Sequence, residues 1–414
     1  MSERSDCIYL DHAATTPVDP AVVQAMCGYL GAEGVFANPA SATHADGWAA
    51  ADAVERARAQ VAALINARPQ EMVWTSGATE ADNLAIKGAA ESYCGRGCHI
   101  VTARTEHKAV LDSCRRLERA GYRVTYLTPG REGLIDPAQL AAALEADTIL
   151  VSLMHVNNET GVVQDIDAFA RITRERGIIL HVDAAQSAGK LAIDTPRLGA
   201  DLISLSAHKL YGPKGVGALY VRHRPRVRLS AQMHGGGHEQ GLRSGTLPTH
   251  QIVGMGHACR LAGERLAEDS DRMARLRRRL EERLCAMPGV LVNGDRERRA
   301  PHIVSLTFQG LDGEALMAAL TRPSARSALR LAVSSGSACT AASREPSYVL
   351  RALGRSDAEA EASLRFSVGR STRAQEIDAA AERVRESVER LRALSPRWTR
   401  ASAQHGQGAA AAEA

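Results

Sequence analysis

The chain has 414 residues and a formal net charge of +4, with 45% hydrophobic and 24% charged residues. That length predicts about two or three domains around a sizeable core, and no apolar run approaches the ~20 residues that cross a bilayer. The opening residues, MSERSDCIYLDHAATTP, contain no apolar targeting core. A cytoplasmic protein without membrane contact is expected. The basic run Arg222 to Arg228 reads as a solvated strand or loop, because nucleic-acid binding needs a whole basic face and aromatics are only 4% of the chain. Eight scattered cysteines suit free thiols in a reducing compartment. The Cys94-Gly-Arg-Gly-Cys98 spacing lacks a second ligand pair and reads as a helix-to-strand turn.

From about Asn66 to Val221, short apolar runs alternate with amphipathic stretches. MVWT (72–75) reads as a strand and ATEADNLAIKGAA as the helix after it. HIVTA (99–103) is again a strand, followed by the helix HKAVLDSCRRLERAG. YRVTYL, TILVSLMHV, IILHVD, ADLISLS and GALYV then follow as strands between turns and helices. Near-continuous apolar strands separated by helices predict an α/β fold with a mainly parallel sheet, in which ligands sit beyond the carboxyl ends of strands. After about Leu261 an Arg/Glu/Leu-rich helix leads into mixed strands and helices and a last helix, EIDAAAERVRESVERLRAL, which suggests a smaller α+β domain. The expected division is 15–260 for the large domain, 1–14 with 261–400 for the small one, and a disordered tail over 401–414.

Polar residues cluster at the predicted strand ends. Lys209, in SAHKLYGPKG, follows LISLS; a Schiff-base lysine needs such a position, near an anion site and a partner for a ring nitrogen. Asp183, after IILHV, is suited to hold a pyridinium proton, and Gln186 lies close enough in sequence to meet a ring oxygen. SGATE (76–80) runs from a strand through glycine into a helix start, where backbone N–H groups and the Thr79 hydroxyl favour an anion; a plain N-cap explains it equally well. Ser206 and His208 are placed to close that anion from the other side. His107, in TEHKAV, is either a helix-capping histidine or, in a cofactor cleft, a ring that stacks and moves protons near its ordinary pKa of ~6.5. Cys339 sits among small residues in SSGSACT, which suits a loop carrying a nucleophile; the thiolate that reactivity requires is not legible in sequence.

Together with YLDHAATTPVDP, NPAS, MHVNNETGVVQDI, MHGGGHEQGLRSGTLP, PSYVLRALG and SLRFSVGR, these segments resemble the cysteine desulfurases of the NifS/IscS type, most closely the iron–sulfur-cluster branch. That family lies within the class V aminotransferase-like, fold-type-I pyridoxal enzymes. The resemblance implies a large domain with a seven-stranded-type sheet plus a small domain carrying the cysteine loop. It implies pyridoxal 5'-phosphate as a Schiff base on Lys209, held by Ala78, Thr79, His107, Asn158, Asp183, Gln186, Ser206 and His208, with Thr246 reaching in from the other subunit of a homodimer. Asn158 and Arg365 would meet the substrate carboxylate; a bidentate arginine is chemically apt there. Cys339 would take sulfur from L-cysteine as a persulfide, releasing L-alanine. It would pass that sulfur to an iron–sulfur scaffold and other acceptors, tRNA thiolation among their uses, and serve as a transient [2Fe–2S] ligand shared with the scaffold.

Two departures from the family pattern bear on delivery. Thr321 to Arg330 is longer and Arg/Ser-rich, and the tail lacks the scaffold-engaging segment. Rival readings are a selenocysteine lyase or another class V enzyme, and a catalytically silent scaffold partner. Loss of Lys209, His107 or Cys339 would mark the silent one, and all three are present.

Overall fold

The computed structural model describes residues 7–323, 328–335, 345–396 and 398. A first strand β1 (Cys7–Tyr9) precedes helices α1 (Pro20–Cys27) and α2 (Ala45–Leu64). The chain then alternates: β2 (Met72–Thr75), α3 (Ala78–Ser92), β3 (His99–Ala103), α4 (Lys108–Glu118), β4 (Arg123–Leu127), α5 (Pro137–Ala143), β5 (Thr148–Met154), α6 (Ile166–Glu175), β6 (Ile179–Asp183), α7 (Thr195–Leu198), β7 (Leu202–Ser206) and β8 (Gly217–Val221). Helices α8 (Thr249–Glu264) and α9 (Leu266–Cys285) follow. The remainder is β9 (Val290–Val292), β10 (Ile303–Phe308), α10 (Gly313–Thr321), β11 (Arg330–Ala332), β12 (Ser334–Ser335), α11 (Tyr348–Ala352), α12 (Asp357–Glu361), β13 (Ser363–Ser367) and α13 (Ala374–Ala393).

Seven strands form one sheet in the order β2-β8-β7-β6-β5-β3-β4. Strands β7, β6, β5, β3 and β4 pair in parallel, and β8 is antiparallel to both β7 and β2. The near-continuous apolar runs follow from burial on both faces. Val101, Val151, Leu180 and Ile203 enter one core, while their chain neighbours Ile100, Leu150, Ile179 and Leu202 enter the other. Each such side chain contributes roughly 1.5–3 kcal/mol. The mainly parallel sheet expected from the alternating pattern is therefore present.

A second sheet, β12-β13-β10-β9, is antiparallel throughout. Its core joins Leu306, Phe308 and Phe366 to Leu280 of α9 and Val384 of α13, and takes in Ile8 and Leu10 from the first residues. β1 pairs with β11, which fixes residues 7–9 beside residues 330–332. Arg222 to Arg228 form a turn closed by a His223–Arg226 bridge, with Arg222 paired to Asp201. Cys94 to Cys98 connect α3 to β3, and Cys98 accepts a bond from Arg123 at 3.1 Å. Among the described residues no helix is long and apolar enough to cross a membrane. Residues 324–327 of the longer Thr321 to Arg330 segment and the tail 401–414 lie outside the described residues.

Candidate active site

A cavity of about 570 Å³ opens at the carboxyl ends of β5, β6 and β7, and the residues just beyond those ends wall it. Nine of the residues singled out in the sequence line it: Ala78, Thr79, His107, Asn158, Asp183, Gln186, Ser206, His208 and Lys209. Arg365 and Thr246 are not in that wall, and Cys339 lies outside the described residues.

Asp183 closes β6, and its Oδ1 accepts the Ala185 N–H at 2.8 Å, which fixes the carboxyl toward the cavity mouth of the strand. Gln186 is held by donating one amide hydrogen to the Ala13 carbonyl at 2.8 Å, with His302 Nε2 3.4 Å from its oxygen. Ser206 ends β7, and a short 3-10 turn over Ala207–Lys209 swings His208 and Lys209 into the cavity. Thr15 and Thr16 hold that turn. Thr16 donates backbone and hydroxyl bonds to the His208 carbonyl at 2.9 Å each, and Thr15 Oγ1 stands 3.1 Å from His208 Nδ1. Burial, then the nearby Lys209 and Lys214, push the His208 imidazole down to about 4, so it is neutral at physiological pH. The turn ends on Tyr211, whose ring is met by Lys190 at 4.4 Å and by the Arg370 guanidinium at 4.1 Å.

The start of α3 forms the opposite wall. Gly77 sits at φ 153°, a value that glycine adopts without strain, and no side chain caps the helix. The plain N-cap alternative is therefore not what this turn uses, and the uncapped turn Gly77 to Glu80 lines the cavity, where an anion site needs free N–H groups. Glu80 accepts the Ser76 N–H at 2.8 Å and pairs with Arg243 at 2.9 Å, which ties this turn to the 233–248 loop.

His107 both caps and lines. Its Nδ1 accepts the Ala109 N–H at 3.2 Å at the start of α4, while its ring borders the cavity. Burial, then Lys209, lower its pKa, so the ring presents a neutral face to any stacked group. Neighbouring asparagines divide differently. Asn157 is consumed in a turn, accepting from the Glu159 and Thr160 N–H groups and donating to the Thr105 carbonyl. Asn158 faces the cavity, and its buried Oδ1 has no hydrogen-bond partner among the described residues. Behind it, the Arg365 guanidinium donates to the Asn158 carbonyl at 2.6 Å and to Asp11 at 2.8 Å, leaving a buried Nε with no partner among the described residues.

Both described ends of the segment that contains Cys339 are tied beside these residues. Ser334 donates to Asp11 and accepts from Arg365. On the far side Ser347 donates to Glu159 at 2.5 Å, and Tyr348 donates to the carbonyl of Glu106, the neighbour of His107, at 2.7 Å.

Sequence reading passed over Thr15, Asp82 and Glu159. Asp82 had a usable signal: four residues past Ala78 on the same helix, it shares Ala78's face and reaches the same cavity. Glu159 and Ser347 are 188 residues apart, and no local pattern joins them.

The residues present fit pyridoxal phosphate. An uncapped helix start suits the phosphate, a strand-end carboxyl suits the ring nitrogen, a lysine suits the aldehyde carbon, and the orphaned buried Asn158 Oδ1 awaits a polar partner. The Aminotransferase class-V family model matches residues 8–380. Cysteine desulfurase IscS of Azotobacter vinelandii is 60% identical over 391 residues, 94% of this chain and 95% of that protein. The protein of the same name from Vibrio cholerae is 59% identical over the same shares. Among solved structures, a NifS-like protein superposes with a TM-score of 0.84 at 33% identity, covering 93% of this chain and all of that one. SspA in complex with cysteine gives 0.76 at 39% identity over 87% of this chain and 98% of that one. The chain belongs to the class-V aminotransferase family and, within it, to the cysteine desulfurases of the IscS type.

Proposed function

We propose that this chain removes sulfur from L-cysteine with pyridoxal phosphate bound at Lys209, yields L-alanine, and stores the sulfur on Cys339 as a persulfide for iron–sulfur cluster assembly. The observation that carries this reading is the convergence of Lys209, Asp183, His107 and the uncapped α3 start on one cavity. Ala78, Thr79, Ser206 and His208 would hold the phosphate, Asp183 the ring nitrogen, and Gln186 and Asn158 the ring's polar edge. When bound, the cofactor supplies an electron sink that makes the substrate's bonds at Cα and then Cβ labile.

The chain's own residues do the rest. Lys209 moves the Cα proton, and His107, a neutral ring in the wall, stacks and passes protons. Arg365 and Asn158 receive the substrate carboxylate. The tethers at Ser334 and Ser347 support delivery of Cys339 to the cavity, since they fix both ends of its segment beside Arg365, Glu159 and Glu106. There the Cys339 sulfur bonds to the substrate sulfur as the Cβ–S bond breaks. The proposal extends to the division of the chain at about residues 15 and 260, and to a homodimer in which Thr246 reaches the partner's phosphate. It extends also to a scaffold acceptor that shares Cys339 as a transient cluster ligand, to tRNA thiolation, and to a cytoplasmic setting.

Cysteine turnover by wild type, Cys339→Ala and Lys209→Ala tests it, reading alanine, sulfide and the cofactor's visible absorption. Cys339→Ala is expected to keep the absorption and to lose sulfur transfer by roughly 10²-fold or more. Lys209→Ala is expected to lose the wild-type absorption band. Sulfide release at the wild-type rate by Cys339→Ala would remove that residue from the mechanism, and an unchanged band in Lys209→Ala would remove Lys209.

A further inference from the structure

Several buried polar groups not used by the chemistry above form one row behind Asp183. His181 lies two residues earlier on β6, on the same face of the strand, and is fully buried. Its Nδ1 stands 2.8 Å from Ser152 Oγ on β5, and its Nε2 2.9 Å from Ser204 Oγ on β7. Helix α3 lays Asp82 against this row, with Oδ1 3.5 Å from His181 Nε2. Asp82 is 1% exposed, it lines the cofactor cavity, and among the described residues neither of its oxygens has a hydrogen-bond partner of full geometry.

An ionised Asp82 would be a poorly solvated charge facing Asp183 and Glu106, with Lys209 as the opposing charge. Burial, then Asp183, push the Asp82 carboxyl well above the usual carboxylate range. Burial also takes His181 down to about 4, so the row is neutral. A neutral imidazole has one donor and one acceptor nitrogen. With Ser152 donating to Nδ1 and Nε2–H donating to Ser204, the Ser204 hydroxyl is left to point at Asp82. The row then runs in one direction, toward the cavity.

We propose that Asp82 is a positioning residue for the cofactor: a neutral carboxylic acid that ends the Ser152–His181–Ser204 row, directs its proton into the cavity and leaves the negative charge at the ring to Asp183. The proposal rests on the pyridoxal phosphate reading of the cavity. Its logic is that two buried carboxyls in one small site do not both ionise. Asp82, the more deeply buried of the two and met only by the Ser204 hydroxyl at the end of the row, keeps the proton, while Asp183 accepts the Ala185 N–H.

The test compares the wild-type holoprotein with Asp82→Asn, which keeps a neutral donor of the same shape, and Asp82→Leu, which keeps volume without a donor. The infrared difference between wild type and Asp82→Asn is expected to show the carbonyl stretch of a protonated carboxyl at neutral pH, with and without pyridoxal phosphate. Asp82→Asn should bind the cofactor within about 3-fold of wild type and Asp82→Leu about 10-fold more weakly, the loss of roughly one hydrogen bond. The pH at which the bound cofactor's absorption changes should stay in place in Asp82→Asn and move by about one unit in Asp82→Leu. A carboxylate band in place of the carbonyl stretch overturns the proposal, as does an Asn variant that behaves like the Leu variant or a Leu variant that behaves like wild type. A wild-type chain that takes up no pyridoxal phosphate overturns the cofactor reading and this proposal with it; the other failures leave the cofactor reading standing.

Discussion

Asn157, Asn158 and Glu159 are consecutive, and each meets a different environment. Asn157 closes a turn, Asn158 faces the cavity, and Glu159 accepts the Ser347 hydroxyl, 188 residues away. Burial raises the Glu159 carboxyl to about 7, opposed by Ser347 and by the charges of Arg365 and Lys108. An unfolded glutamate titrates near ~4.3, so between about pH 4.3 and 7 the folded chain keeps a proton that the unfolded chain has lost. Stability from this site is therefore highest at low pH, falls by up to about 4 kcal/mol through that window, and is flat beyond it. Glu159→Gln keeps an acceptor for Ser347 without the titration. Its melting temperature is expected to gain on wild type as pH rises from about 5 to about 8. A constant difference across that window would show that Glu159 does not titrate there. The sequence displays the asparagine pair openly, but which of the two enters the cavity is decided by the turn at Thr160 and Gly161, and that only the folded chain shows.

At the scale of elements, the anion site depends on how closely β8 approaches the turn before α3. A Cβ placed at Gly217 would come within 2.6 Å of Gly77 Cα and 2.5 Å of the Leu205 carbonyl. Real Cβ atoms do not approach backbone so closely, so Gly217→Ala must displace the turn at Gly77 or the backbone at Leu205, next to Ser206; Gly77 and Ser206 both border the cavity. Its cofactor affinity is expected to fall by about 10-fold or more. Gly95→Ala, where a Cβ meets nothing within 4 Å, serves as the control and should bind as wild type does. Equal affinities for the two variants would show that the turn tolerates displacement. The strands that frame this site were plain in the sequence because each is an apolar run bounded by turn residues. The helices α1, α2 and α8 leave no comparable mark in the sequence. Helix α2, ADGWAAADAVERARAQVAAL, is built on alanine, so its buried stripe differs little in hydrophobicity from its exposed one. Where α8 crosses it, Gly256 sits so near that a Cβ would stand 2.7 Å from Ala57 Cα. Close packing of small residues leaves a faint periodic signal, and the contact is about 200 residues long-range.

The whole molecule raises the matter of which site Thr246 serves. In the single chain Thr246 is exposed and absent from the cavity wall. Its loop is nonetheless held firmly: Glu239 pairs with the buried Arg58 at 2.7 Å and accepts the Trp74 N–H at 2.8 Å, while Arg243 pairs with Glu80. A loop fixed at two points yet projecting an exposed hydroxyl suits a residue that acts in a neighbouring copy. Leu30, Phe36 and Trp48, all more than half exposed, offer apolar surface for such a copy. Complementation distinguishes the arrangements. One protomer carries Thr246→Ala and the other Lys209→Ala, and the two are mixed under conditions that exchange subunits, at limiting pyridoxal phosphate. If Thr246 serves the partner, the Thr246→Ala protomer keeps its own Lys209 and receives an intact Thr246, so each mixed dimer regains one wild-type site. The other site then collects both defects. If Thr246 serves its own chain, each mixed dimer has one site without Thr246 and one without Lys209, and no site is whole. Crossed service therefore predicts that activity rises on mixing above the mean of the two separate variants, toward half that of wild type in the mixed dimer. Activity that stays at that mean, in samples shown by mass to contain mixed dimers, would place Thr246 outside the partner's site.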